Sequence, residues 1–216
     1  MFNKKEDFGF NKEELSILKK LNTPVKIQNF LNTLKINFEE NGDTCMSPRQ
    51  VLKAKKAHCI EGAIFAAAAL RFHGHKPLIL DMEAVNNDND HVIALFKQHG
   101  HWGAIQKTNH AVLRYREPVY KTPRELVMSH FHEYFLNSNG RKTLRTFSKP
   151  VNLSKFDKYN WMASEENVWF IPEHLTKIPH TKIMSRKQIA NLRNVDPIEI
   201  KAGSLVEYPG PQKTNL

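Results

Sequence analysis

The segment at 59–72 constrains the fold most, because it is small and apolar on almost every side. It includes four consecutive alanines at positions 66–69. A helix on a protein surface has one apolar stripe, whereas a helix that is apolar all round is buried by several neighbours. The segment therefore predicts a central helix that begins at Cys59. Gly74 is expected to end this helix, and Pro77 prevents its continuation.

Apolar runs after this helix predict a sheet beside it. Residues 78–80 and 92–96 predict buried strands joined by a polar loop. His99-Gly100 predicts a hairpin turn into a third strand at 101–105. Residues 112–115 predict a continuation of the same sheet.

Capping patterns predict further helices on both sides of this region. Four places show a polar residue that can cap a helix. It is followed either by Glu or Gln three positions later or by proline at the next position. These patterns lie at Asn11 and Glu14, Thr23 and Pro24, Ser47 and Gln50, and Thr122 and Glu125. The last of these helices is predicted to run through Tyr134. The C-terminal third predicts strands at 143–147 and 168–171, and a proline-containing tail at 196–216 that either lies over the body or frays.

The net charge of +10 raises the question of nucleic-acid binding. Residues 57–140 carry 8 basic and 8 acidic side chains, so the excess lies in the two flanks, +4 in residues 1–56 and +6 in residues 141–216. The charge is spread out, and no RNP, zinc-finger or helix-turn-helix signature accompanies it. Such charge is more often a solvated surface than a binding footprint. We therefore expect no nucleic-acid partner.

Composition predicts a cytoplasmic protein. No apolar run approaches the roughly 18 residues of a membrane helix, and the N-terminus lacks the apolar stretch of a signal peptide. Two cysteines do not form a disulfide framework, which favours a reducing compartment. We expect no membrane association, and the sequence does not indicate an oligomeric state.

Cys59 and His91 are the candidate chemical pair. A thiol at a helix N-terminus meets the positive end of the helix dipole, which favours the thiolate and therefore nucleophilicity. His91 begins the predicted strand at 92–96 and is placed to act as the base of that thiol. A lone cysteine in an alanine-rich helix is more often a small buried hydrophobe. The order of Cys59 and His91 along the chain favours a catalytic site instead.

Several segments resemble the transglutaminase-like branch of the papain-like cysteine enzymes. The pattern there is a cysteine that opens a helix, a histidine that opens a strand, and an acid after the next strand. The matching segments are residues 47–52, Cys59 with its helix, residues 69–74, 91–95 and 100–105. Residues 109–116 add a similarity to an uncharacterised bacterial family of this branch. The resemblance covers about residues 45–135.

The resemblance implies an α+β domain in which the cysteine helix packs on an antiparallel sheet. It implies thiolate attack on a carboxamide, with Cys59 as nucleophile and His91 as general base and acid. We predict one domain, with N-terminal helices at 1–44, the transglutaminase-like core at 45–135 and an extension over the core at 136–216. No internal repeat or low-complexity linker divides it.

The third member of the site departs from this pattern. The family's acid lies four positions after the tryptophan, and Gln106 occupies that position here. A neutral amide can orient a histidine, as asparagine does in papain-like proteases. Asn109 is the rival. If His99-Gly100 is a two-residue turn, strand alternation places Gln106 on the face of His91, and a bulge or longer loop brings Asn109 there instead.

Eleven histidines also suggest metal chemistry. No Cys-x-x-Cys or His-Glu-x-x-His motif is present, and His58, Cys59 and His91 are at most an adventitious zinc set. Glu61 suits a capping role in the first helical turn. We therefore predict no metal and no cofactor.

The sequence thus predicts a cysteine-dependent hydrolase or acyl transferase that acts on an amide or isopeptide bond through a thioester. Its substrate would be a peptide or protein amide, or a small amide-containing metabolite. One alternative is a catalytically inactive binding module of the same fold. A second alternative is a basic nucleic-acid-associated protein.

Overall fold

The computed structural model describes residues 7–210, so the charged N-terminus and the end of the predicted C-terminal tail lie outside it. It is an α+β fold in which helices pack on an antiparallel sheet. The helices are α1 (Lys12–Lys20), α2 (Pro24–Thr33), α3 (Pro48–Ala54), α4 (Cys59–Phe72), α5 (Pro123–Met128), α6 (Phe170–Lys177), α7 (Arg186–Ala190) and α8 (Pro197–Gly203), with 3₁₀ helices at Phe131–Glu133 and Leu153–Tyr159.

The main sheet has seven strands, and all of its pairings are antiparallel. Its path is β6-β5-β4-β3-β7-β9, with β8 also paired to β3. The strands are β3 (Leu78–Glu83), β4 (His91–Gln98), β5 (His101–Ile105), β6 (Arg116–Tyr120), β7 (Thr146–Ser148), β8 (Val151–Asn152) and β9 (His180–Lys182). A separate parallel pair joins β1 (Lys35–Ile36) to β2 (Lys56–Ala57).

Helix α4 lies at the centre of one core, as its composition predicts. Eleven of its residues are buried, and they include all four residues at 66–69. It packs against α1, α2 and α3 as well as β3 and β4. His75 closes the helix by donating its backbone N–H to Leu70, and Gly74 adopts the positive φ of 88° that such an ending requires.

The middle of the sheet is buried on both faces, which explains why β4 begins as a continuous apolar run. Side chains of β4 alternate between two clusters: Val92 and Ala94 join the core around α4, whereas Ile93 and Leu95 join a second core. Helix α5 contributes Leu126 to that second core. A strand covered on both faces has no polar side to reveal its register.

Four predicted elements differ in the structure. The strand expected at 168–171 is the start of helix α6, and residues 112–115 are irregular, with the next strand beginning at Arg116. The strand predicted at 143–147 is shorter, at Thr146–Ser148. The helix predicted to run through Tyr134 stops at Met128 and is followed by a short 3₁₀ turn.

Within residues 7–210, no helix combines the length and the apolar character that crossing a bilayer requires.

Candidate active site

Cys59 is the first residue of α4, and Glu61 fixes the start of that helix. One carboxylate oxygen of Glu61 accepts the backbone N–H of His58 at 3.0 Å, which confirms its predicted capping role. Cys59 is partly exposed, whereas the helix beyond Glu61 is buried. The end of the central helix that carries Cys59 therefore lies near the surface.

Glu61 is also the centre of a buried polar network that the sequence does not reveal. Its side chain has no exposed surface. It accepts hydrogen bonds from Thr44 Oγ1 at 2.7 Å, the backbone N–H of Met46 at 3.0 Å and Asn37 Nδ2 at 3.1 Å. These bonds attach the loop after β1 to the first turn of α4. All of these partners donate hydrogen bonds, and an ionised carboxylate is a side chain that only accepts them.

Two imidazoles lie beside Cys59 in the lining of one cavity. Burial opposes ionisation of the thiol, but hydrogen bonds from His58 and His91 outweigh that effect and lower the pKa of Cys59 to about 5. A free thiol has a pKa near 8.5. Cys59 is therefore a thiolate at neutral pH. Cys45, by contrast, is fully buried, and desolvation raises the pKa of its thiol far above the usual range.

His58 is held as a cation beside this thiolate. Burial acts against its charge, but the hydrogen bond to Cys59 and the charge of Glu61 raise the pKa of His58 to about 9. Its Nε2–H donates to the carbonyl of Thr44 at 3.1 Å, and carboxylate oxygens of Glu39 and Glu61 each lie 3.4 Å away. The sequence marked His58 only as an adventitious metal ligand, so its place beside the thiol is a finding of the structure.

His91 is oriented by Gln106. His99-Gly100 is a two-residue turn, with positive φ at both residues and Gln98 opposite His101. This register confirms the expectation that Gln106 shares the face of His91. His91 Nε2 lies 3.0 Å from Gln106 Oε1, so the remaining ring nitrogen, Nδ1, is available to the thiol.

The orientation of Gln106 is fixed by three partners. Its amide nitrogen donates to the backbone carbonyl of Arg114 and lies 3.1 Å from His130 Nε2. A carbonyl can only accept, so the amide oxygen must face His91 and accept its N–H. His130 is fully buried, and its Nδ1–H donates to the carbonyl of Leu126 at 3.0 Å. Burial lowers the pKa of His130 to about 3, so it is the neutral acceptor that Gln106 needs.

Asn109 has a different role from the one proposed for it. Its Nδ2 donates to the carbonyl of Tyr208 at 2.8 Å, and its Oδ1 accepts the backbone N–H of Tyr208 at 2.9 Å. The backbone at Glu207 also donates to the carbonyl of Asn109 at 2.8 Å. Among the described residues, His91 has its amide partner in Gln106. Asn109 instead attaches the C-terminal segment 205–208 to the loop that follows Gln106.

A glycine on α4 lets this loop approach the site. A Cβ atom at Gly62 would lie 2.5 Å from Cβ of Lys107, so no other residue fits there without a shift of the loop. Lys107 is buried, and its Nζ donates to the carbonyl of Leu34 at 2.6 Å. The loop thus joins α2, α4 and the C-terminal segment.

An open cavity of about 280 Å³ lies over the thiol. Cys59, His58 and His91 line it together, and Asn109 and Gly203 form part of its wall. Its further lining includes the carboxylates of Asp88, Asp90 and Glu133 and the side chains of Lys107 and His110. A ligand in this cavity would therefore lie beside Cys59, His58 and His91.

Variants of the two amides separate their roles. Gln106→Leu removes the acceptor of His91 and leaves the ring free to turn, so we expect the pKa of Cys59 to rise. Asn109→Ala removes two hydrogen bonds to Tyr208, at a cost of about 1–3 kcal/mol in stability. It should leave that pKa unchanged. The thiolate absorbance near 240 nm, followed against pH in both variants, measures the difference. A rise in the pKa in Asn109→Ala alone would restore Asn109 as the partner of His91.

His58, Cys59 and His91 do not form a compact metal-ligand set. Within residues 7–210, the one group of three such side chains with ligand atoms within 4.8 Å of one another is Asp81, Glu83 and His180. That group lies outside the cavity lining.

Comparison of the sequence with models of protein families and with curated proteins finds no match.

Proposed function

We propose that this protein is a cysteine-dependent hydrolase or acyl transferase that acts on amide or isopeptide bonds, of the transglutaminase-like kind. The observation that carries the proposal is that Cys59, the first residue of α4, lines one open cavity together with His91, whose ring is held by Gln106 Oε1 at 3.0 Å. The neighbouring imidazoles outweigh burial and lower the pKa of the Cys59 thiol to about 5. A low-pKa, accessible thiolate beside an oriented histidine is the arrangement of a covalent cysteine nucleophile.

Each residue of the site has a step in this reaction. The Cys59 thiolate attacks the amide carbonyl, a C–S bond forms, and the carbonyl oxygen becomes an oxyanion. The backbone N–H of Cys59 is among the first four of α4, which have no acceptor within the helix, so it can donate to that oxyanion. When the C–N bond breaks, the amine leaves with a proton from His91 and a thioester remains.

The second half of the reaction releases the acyl group. His91, now neutral, takes a proton from water or from an amine, which attacks the thioester. The C–S bond breaks, the acid or new amide leaves, and the thiolate returns. Gln106 holds the His91 ring throughout and does not change charge. Its fixed dipole stabilises the imidazolium less than a carboxylate would, which is sufficient for thiolate chemistry because Cys59 is already ionised.

Trapping of the acyl-enzyme tests the proposal. The protein is incubated with pools of peptides that carry side-chain carboxamides, isopeptides and small amides, and is then quenched in acid. We expect an acyl adduct on Cys59 that hydroxylamine removes and that forms at least a hundredfold more slowly in His91→Ala. Cys59→Ser is the control without the nucleophile. His75→Ala is the control for loss of a histidine, since His75 is exposed and does not line the cavity.

Two results would contradict the proposal. An adduct that forms equally in His91→Ala would show that His91 takes no part in the reaction. Absence of any adduct and of any amide turnover, together with saturable ligand binding in the cavity, would favour the inactive binding module.

A further inference from the structure

The side chains of Asp81, Glu83 and His180 form a cluster outside the cavity. The cluster lies where β3 is followed in the sheet by β7 and β9, away from β4. Asp81 and Glu83 are two positions apart on β3, so they share one face of the sheet. His180 begins β9, which pairs with β7, the neighbour of β3. The Asp81 and His180 side chains are 8% and 7% exposed, whereas Glu83 is 35% exposed. The group is therefore buried on the Asp81 side and open on the Glu83 side.

One oxygen of this group has no partner. Asp81 Oδ1 is buried and accepts no hydrogen bond from any described residue. Its other oxygen, Oδ2, faces His180 Nε2 at 3.2 Å. Within residues 7–210, neither carboxylate has a lysine or arginine at ion-pair distance. Asp81 Oδ2 faces His180 Nε2, whereas Glu83 Oε1 lies 3.5 Å from His180 Nδ1. Glu83 Oε2 also accepts a hydrogen bond from Thr146 Oγ1. A buried carboxylate with an unpartnered oxygen is costly unless a cation satisfies it.

The tautomer of His180 leaves Nε2 free to bind a metal ion together with Asp81 Oδ2. His180 Nδ1 lies 3.0 Å from the carbonyl of Ile178, which can only accept, so Nδ1 carries the proton. In the neutral ring, Nε2 then presents a lone pair to the carboxylate oxygen of Asp81. Two acceptors at 3.2 Å repel unless a proton or a metal ion lies between them. A histidine that binds a metal through one nitrogen commonly donates the other N–H to a backbone carbonyl.

The distances fit a small divalent metal. Zinc bonds to nitrogen and oxygen ligands are about 2.0–2.2 Å long, so two tetrahedral ligands of one ion lie about 3.3 Å apart. Asp81 Oδ2 and His180 Nε2 lie 3.2 Å apart. Glu83 lies beside the Nδ1 edge of the ring, with Oε1 3.5 Å from Nδ1, so its partly exposed side chain must turn toward Nε2 to supply a third ligand. One ligand atom from each of the three side chains already lies within 4.8 Å of the other two.

We propose that Asp81, Glu83 and His180 bind a divalent metal ion of the zinc class, with water at the fourth position. One imidazole and two carboxylates suit Zn²⁺ and its neighbours, whereas Mg²⁺ and Ca²⁺ prefer oxygen ligands alone. The bound ion would link the edge strand β9 to β3 and would satisfy Asp81 Oδ1, either directly or through its water. The site is separate from Cys59 and is independent of the proposed reaction.

Zinc and cobalt titrations of the chelator-treated Cys59→Ser protein test this site. Removal of Cys59 excludes thiolate binding at the cavity. By calorimetry, we expect about one equivalent of Zn²⁺ with a dissociation constant in the micromolar range or below, and no Mg²⁺ binding at the same concentrations. His180→Gln, Asp81→Asn and Glu83→Gln should each weaken Zn²⁺ binding by about a hundredfold or more. His75→Gln, an exposed histidine, should leave it unchanged.

The Co²⁺ spectrum of the unaltered protein distinguishes this site from a thiolate site. It does not depend on whether a variant folds. An oxygen and nitrogen site lacks the intense near-ultraviolet charge-transfer band that a thiolate ligand gives. Absence of stoichiometric Zn²⁺ binding would overturn the proposal. Binding that survives in both His180→Gln and Glu83→Gln would also overturn it, because the ion would then lie elsewhere.

Discussion

Iodoacetamide is expected to alkylate Cys59 with a rate that is half its plateau value near pH 5, and the rate should fall as the pH drops through that value. The pKa of Cys59 is lowered to about 5, so the thiolate is present above that pH and lost below it. The midpoint is the diagnostic quantity. A low-pKa thiolate is intrinsically less nucleophilic, which offsets much of its rate advantage over an ordinary thiol at neutral pH.

Loss of either imidazole should move this midpoint upward. Hydrogen bonds from both His58 and His91 lower the pKa of Cys59, so His58→Ala and His91→Ala should each raise the midpoint by one or more pH units. The double variant should reach or exceed the free-thiol value of about 8.5, because burial then opposes ionisation without compensation. Peptide mass spectrometry follows Cys59 separately from Cys45, which is buried and should stay unlabelled until the protein unfolds. A midpoint near 8.5 in the unaltered protein would remove the basis of the proposed reaction.

Glu61→Gln is expected to lower the free energy of unfolding by about 3 kcal/mol, although it changes the side chain by one atom. Every partner of the Glu61 carboxylate is a donor, so the amide NH₂ would face the N–H of either Met46 or His58. Burial of an unsatisfied or repelling polar pair costs about 1–3 kcal/mol, and more where a charge is involved. Urea unfolding followed by circular dichroism measures the change.

The same substitution should also change the titration of His58, the imidazole beside Cys59. The charge of Glu61 raises the pKa of His58, so its loss should lower that pKa, which NMR titration of the His58 ring measures. Glu13→Gln is the matched control, because Glu13 also lies in a first helical turn but is exposed. A comparable loss of stability in both variants would mean that Glu61 acts only through the helix dipole.

The position of Gln106 could be predicted because it depends on local geometry. His99-Gly100 is a two-residue turn, and a two-residue turn fixes the register of the strands that follow. The sequence left Asn109 open because a longer loop reverses the parity. No local pattern points to His130, which reaches Gln106 from 24 positions away in the chain. The packing of α5 against the sheet, rather than any motif, brings it there.

The strand predicted at 168–171 was wrong because its apolar run is short. Residues 168–171 are four apolar residues, a length at which a strand and the start of a helix have the same pattern. Ile171 and Leu175, one helical turn apart, are the buried residues of α6. The central helix was predictable for the opposite reason. Fourteen residues that are apolar on nearly all sides have few arrangements other than a buried helix.

The hydrogen bonds between Asn109 and Tyr208 also bear on when the site is completed during synthesis. The two residues are 99 positions apart. At about 5–20 residues per second, the ribosome delivers Tyr208 roughly 5–20 s after Asn109. Until then the loop beyond Gln106 lacks the segment that holds it, while Cys59 and His91 have already been made. The nascent chain therefore carries its nucleophile and base well before the wall of the cavity is closed.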